Sequence, residues 1–80
     1  MKVNSNIKWL IAKSEIPSKE IAQELDMSAQ QLSAWSNGRA YPRIDKAIHL
    51  LTILQRVMPE LTLEDLYEWE GKKGKNEGKQ

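Results

Sequence analysis

Residues 18–37, SKEIAQELDMSAQQLSAWSN, decide how this chain is read. The apolar residues Ile21, Leu25, Met27, Leu32 and Trp35 fall in two groups at helical spacing. Asp26 stands between the groups, and aspartate enters a left-handed turn more readily than most residues that carry a side chain. Ser28 is a good N-cap for a second helix. Asn37-Gly38 is a common way to end one. The run therefore reads helix, tight turn, helix. Two short helices that cross steeply need a small residue at their contact, and Ala22 supplies it. Packing of the apolar positions fixes the crossing angle and leaves the outer face of the second helix free.

Working outward, Ile7, Leu10 and Ile11 repeat at i, i+3, i+4 and predict an earlier helix, with Asn4 or Ser5 as its cap. Pro17 breaks that helix and disfavours helical backbone just before it. Downstream, Pro42 opens a longer helix. Ile44, Ala47, Ile48, Leu51 and Leu54 form one stripe, and Leu50, Ile53 and Val57 form a second, so much of its surface is expected to be buried. Pro59 stops it. Thr62 is placed to cap a short fifth helix carrying Leu63, Leu66, Tyr67 and Trp69. No strand pattern and no internal repeat is visible. Residues 71–80, GKKGKNEGKQ, hold no apolar residue and are expected to form a disordered basic tail. One domain over residues 1–70 follows, with the thin core of a small chain.

Composition narrows the function classes. There is no cysteine and a single histidine, His49, which excludes disulfides, thiolate metal sites and a His-rich metal site. No apolar run approaches the ~20 residues of a membrane span, and the first residues lack the apolar stretch of a signal peptide. A cytoplasmic protein is expected. No nucleophile–base pair, glycine-rich phosphate loop or paired carboxylates points to catalysis. No cofactor is called for. The net charge of +1 conceals a division along the chain. Residues 27–59 carry Arg39, Arg43, Lys46 and Arg56 against Asp45 alone. Residues 60–70 carry Glu60, Glu64, Asp65, Glu68 and Glu70 with no base. A basic middle followed by an acidic segment bears on nucleic-acid binding more than the total does.

Over residues 6–69 the chain resembles the Cro/C1-type helix-turn-helix family, the phage-repressor-like group also called Xre-like. The residues that carry the resemblance are Ile21-Ala22 in the second helix, Ser28 and Leu32 in the third, Asn37-Gly38 at its end and the basic-then-proline stretch Arg39 to Pro42. Asp26 stands where the family usually has glycine, Pro17 where it has the second helix's cap, and Ser36 where an acidic residue is frequent. The resemblance implies an all-α, compact five-helix lambda-repressor-like domain whose third helix enters the major groove of double-stranded DNA. It implies a phage or bacterial transcription regulator, a repressor in its simplest form.

The outward residues of the third helix (residues 28–37) are Ala29, Gln30, Gln31, Ser33 and Ala34, none of them charged. Glutamine can bond adenine through two atoms, and alanine methyls can meet thymine methyls. The family's base-reading positions match these residues, Gln30 and Ala29 first and Ala34 next. The plain alternative is a surface that happens to be neutral. Ser18, Ser28, Asn37, Arg39 and Arg43 flank this face and are the candidate phosphate contacts; the alternative is ordinary surface charge and capping. His49 has only Asp45 one turn back and reads as a solvated helix face. Trp35 reads as core. Trp9 lies off the first apolar stripe, at the edge of the core. A homodimer over two half-sites is expected, with Val57, Met58, Tyr67 and Trp69 at the contact, because apolar residues are left over after the fourth helix. A second functional reading is an antitoxin or anti-repressor-type module that meets a protein partner through an acidic C-terminal helix.

Overall fold

Helix formation follows the apolar spacing closely. In a computed structural model of the chain, residues 3–71 are described. They form β1 (Val3–Ser5), α1 (Ile7–Ser14), α2 (Ser18–Glu24), α3 (Ala29–Ser36), α4 (Ile44–Leu54), a 3-10 turn (Leu63–Leu66) and β2 (Tyr67–Trp69). The proposed tail lies outside the described residues apart from Gly71, whose φ is +83°.

The domain is mostly helical, with four α-helices. Ile7, Leu10, Ile21, Leu25, Leu32, Leu50, Ile53 and Leu54 are buried together from all four. Trp35 joins them, as its spacing predicts. The α2–α3 connection is built as the sequence suggests. Asp26 is left-handed, with φ 57°. Its N–H donates to the Gln23 carbonyl at 3.1 Å, and the Met27 N–H donates to the Ala22 carbonyl at 3.0 Å. This is the paired bonding of a Schellman ending. Gly38, φ +76°, ends α3 in the same way: its N–H donates to Trp35 at 3.3 Å and that of Arg39 to Ala34 at 2.9 Å. A side chain is strained at that φ, so glycine is favoured there.

Two expectations are corrected. The chain is not all-α: β1 pairs antiparallel with β2, Val3 opposite Trp69 and Ser5 opposite Tyr67. The fifth helix is a single 3-10 turn followed by that strand. Leu66 explains why: it is fully buried, and its carbonyl accepts the Asn6 N–H at 2.8 Å, so the segment is pulled across the start of α1. Three-residue strands are too short to show alternation, and each exists only through the other. Asp65 accepts from both the N–H (2.9 Å) and the hydroxyl (3.0 Å) of Thr62, closing the turn where a cap was expected.

Smaller differences have equally local causes. The residue at the N-cap of α1 is Asn6, not Asn4 or Ser5, and its amide instead donates to the Asp65 carbonyl at 3.1 Å. The Ser5 hydroxyl accepts the Ile7 N–H at 3.2 Å. Trp9 is 61% exposed and does not close the core; the Lys13 ammonium lies 4.7 Å from its ring centre. Among the described residues, no helix is long and apolar enough to cross a membrane.

Candidate nucleic-acid interface

The exposed side of α3 begins with a tightly bonded cap. The Ser28 hydroxyl accepts the Gln31 N–H at 3.1 Å, and the Gln31 side-chain oxygen accepts the Ser28 N–H at 3.1 Å. This reciprocal capping box fixes where the helix starts. It also occupies Gln31: with its oxygen held by the backbone, the side chain keeps only its N–H₂ donors for a ligand. Gln30, next to it, is exposed and takes no part in the cap. Of the two glutamines named by sequence, Gln30 is therefore the one able to offer both donor and acceptor.

Around α3 most of the predicted residues line one of two clefts, while Ser28, Gln30 and Arg39 are exposed and line neither. One, of about 260 Å³, is lined by Lys8, Ser18, Ala29, Leu32, Ser33, Ser36 and Asn37. The other, of about 340 Å³, includes Gln31, Ala34, Tyr41, Arg43 and Lys46. Ala29 and Ser33 thus face the start of α2, and Ala34 faces the α3–α4 connection. Ser33 is partly engaged, since its hydroxyl accepts from the Asn37 amide at 3.3 Å. Asn37 keeps its side-chain oxygen.

The candidate phosphate contacts are all exposed: Ser18, Ser28, Asn37, Arg39 and Arg43. Arg43 lies 4.0 Å from Asp45, with side-chain exposures of 88% and 70%, so the pairing is loose and solvent-screened. Lys46 is spent otherwise; its ammonium donates to the Leu25 carbonyl at 2.7 Å and caps the end of α2. Sequence reasoning passed over Lys8. It sits on α1, outside the helix pair, and nothing in its local pattern marks it. Only the packing of α1 beside α3 sets a cation in the cleft with Ser18 and Asn37. The result is an uncharged helix face flanked by Lys8 on one side and Arg43 on the other.

The four residues expected at a dimer contact do not share one surface. Met58 borders a cleft with Trp9, Leu10, Lys13 and Leu61. Tyr67 and Trp69 line a different groove with Val3, Tyr41 and Ile44. Val57 is exposed and lines neither of these two clefts. The sequence neighbours of α4's end were grouped by position along the chain, and the reversal into β2 separates them. His49 is exposed, as its reading predicts. No protein-family model matches this chain, and no curated protein matches it at a significant level of similarity.

Proposed function

We propose that this protein binds double-stranded DNA sequence-specifically, as a transcription regulator of the Cro/C1-type helix-turn-helix kind. In this reading α2 and α3 are the helix-turn-helix pair, α3 lies in the major groove, and the protein represses by occupying its operator. The observation that carries it is the face of α3. It is exposed, uncharged and preorganised by a capping box, with cations at its borders rather than on it. A charged helix face is well solvated and costs free energy to dry against base edges. A neutral face of alanine and glutamine costs less and can still discriminate bases. Cations at the border attract the phosphates, which position the helix without reading sequence.

Gln30 and Ala29 are the first base readers, with Ala34 and the free donors of Gln31 next. Lys8, Arg39, Arg43 and Asn37 are the phosphate contacts. The antitoxin-type reading loses its helix, because the acidic segment is a 3-10 turn and a strand bonded into the domain. Selection of bound sequences from a random duplex pool, followed by gel mobility shift of the selected site, tests the proposal. Recovery of a defined motif is expected. Recovery of random sequence, or no shift at low salt, would overturn it.

A further inference from the structure

Few polar atoms stand on the face of α3, and folding has already committed some of them. Helical geometry sets Gln30 on the side opposite the buried Leu32 and Trp35. Ser33 and Ala34 follow one turn later, on either side of that line. Ala29 and Ala34 present only methyl groups. The Ser33 hydroxyl oxygen takes the Asn37 amide at 3.3 Å. The Gln31 oxygen takes the Ser28 N–H at 3.1 Å, and turning it to a base would strip that N–H of its partner at the start of the helix. Gln31 is left with donors. Among these five residues Gln30 alone keeps an amide oxygen and an amide N–H₂ side by side, exposed on the outermost line of the helix. In the major groove, adenine sets an acceptor, N7, beside a donor, the N6 amino group; guanine shows two acceptors and cytosine a lone donor. Adenine is the single base that a free amide matches at both atoms.

We propose that methylation of the adenine amino group at the position Gln30 reads switches specific binding off; this rests on the DNA reading of α3. In a duplex the amino nitrogen gives one hydrogen to the paired thymine and turns the other to the major groove. An N6-methyl group takes the place of the second hydrogen, because the first is needed for pairing. The Gln30 oxygen then meets a methyl carbon where a donor stood. It loses its hydrogen bond inside a dried interface, and the carbon fills the space the oxygen needs. An acceptor buried without a partner weakens binding about ten- to a hundredfold. The neighbours do not compensate. Ala29 and Ala34 carry no acceptor, and the Gln31 oxygen is held by the Ser28 N–H. The capping box has thus reduced adenine recognition on this face to one side chain, so one methyl group suffices to remove it. The cations at the border, Lys8, Arg39 and Arg43, meet phosphates and not base edges, and binding to random duplex persists. The class of reaction that controls the site is methyl transfer to adenine N6 within the operator.

Synthetic duplexes of the selected site, each with one adenine replaced by N6-methyladenine, test this by gel mobility shift with the full chain. One adenine for each bound chain should be sensitive, its methylation lowering affinity about ten- to a hundredfold, and the other adenines should be indifferent. Random duplex should bind equally with and without the methyl groups. Gln30→Ala alters an exposed residue and should keep the thermal transition. It should weaken binding to the unmodified site and erase the difference between methylated and unmodified duplexes. Gln31→Ala should retain that difference. A selected site at which no adenine is sensitive overturns the proposal and leaves the DNA reading standing. A methyl effect that survives Gln30→Ala undiminished, or that vanishes with Gln31→Ala instead, also overturns it. Failure to select any site sinks the DNA reading at the first step, before a methylated duplex is made, and the proposal with it.

Discussion

The Ser5 hydroxyl donates to the Trp35 carbonyl at 2.9 Å, joining the first strand to the last turn of α3 across 30 residues. The same oxygen accepts the Ile7 N–H at 3.2 Å. One small side chain thus ties the ribbon, the start of α1 and the end of the proposed reading helix. Ser5→Ala should lower stability by about 1 kcal/mol, the net worth of a partly buried hydrogen bond. Urea denaturation measures it, and a Ser5→Ala protein with an unchanged midpoint would show the bond to be incidental.

Gln30 and Gln31 should behave differently despite being neighbours of one type. Gln30→Ala should cost ~1–3 kcal/mol on the selected site and little on random DNA. Gln31→Ala removes one arm of the capping box, and Ser28→Ala, which removes the other, should destabilise the fold by ~1 kcal/mol. Gln31→Ala should therefore act more on the melting temperature than on base preference. Binding profiles that change equally for both glutamine variants would contradict this division.

Lys8→Ala and Arg39→Ala should weaken binding to specific and random duplexes alike. Each should reduce the slope of log affinity against log salt by about one. The Lys8 result is the sharper one, because only the packing of α1 brings that residue to the cleft. A slope unchanged in Lys8→Ala would remove it from the interface.

The Arg56 guanidinium holds Glu24 in a two-bond pair, at 2.6 and 2.7 Å, linking the chain just past α4 to the end of α2. The hydrogen bond from Arg56 lowers the Glu24 carboxyl below its ordinary 4.5. Its stabilisation is therefore fully present above the ordinary carboxylate range and fades as pH falls through the lowered value. Both groups are partly exposed, so the effect should be small and salt-sensitive. Acid titration of the thermal midpoint should show a shallower fall for Glu24→Gln than for the parent chain. Identical slopes would mean the pair contributes nothing to folding.

Much of the helical architecture is written in local signals. Left-handed Glu15 and then Pro17 close off α1, Asp26 turns, Ser28 caps, and Gly38 stops α3, because each acts on backbone within a few residues. The apolar stripes then say which side of α1, α2 and α3 is inward, and Leu32 and Trp35 lie where those stripes put them. The exposed neutral face of α3 is legible for the same reason. The expected burial of both α4 stripes is corrected: Ala47, Leu50, Ile53 and Leu54 are inside, while Ile44, Ile48 and Val57 are exposed, because the domain packs only one side of that helix.

Sequence by itself thus determined the four helices, the α2–α3 turn and the inward side of α1, α2 and α3, since caps, turns and periodicity are short-range effects; on α4 the periodicity over-counted, because Ile44 and Ile48 of the first stripe and Val57 of the second stand exposed. Tertiary structure alone decided the rest. The β1–β2 ribbon depends on hydrogen bonds between residues more than sixty positions apart, and three residues carry no readable period. That ribbon turns Tyr67 and Trp69 toward Val3, Tyr41 and Ile44 and away from Met58. The packing of α1 against α3 brings Lys8 beside Asn37. The capping box, not composition, separates Gln30 from Gln31. In each case the deciding contact joins residues whose proximity, or whose choice of bonding partner, comes into being only when the chain folds.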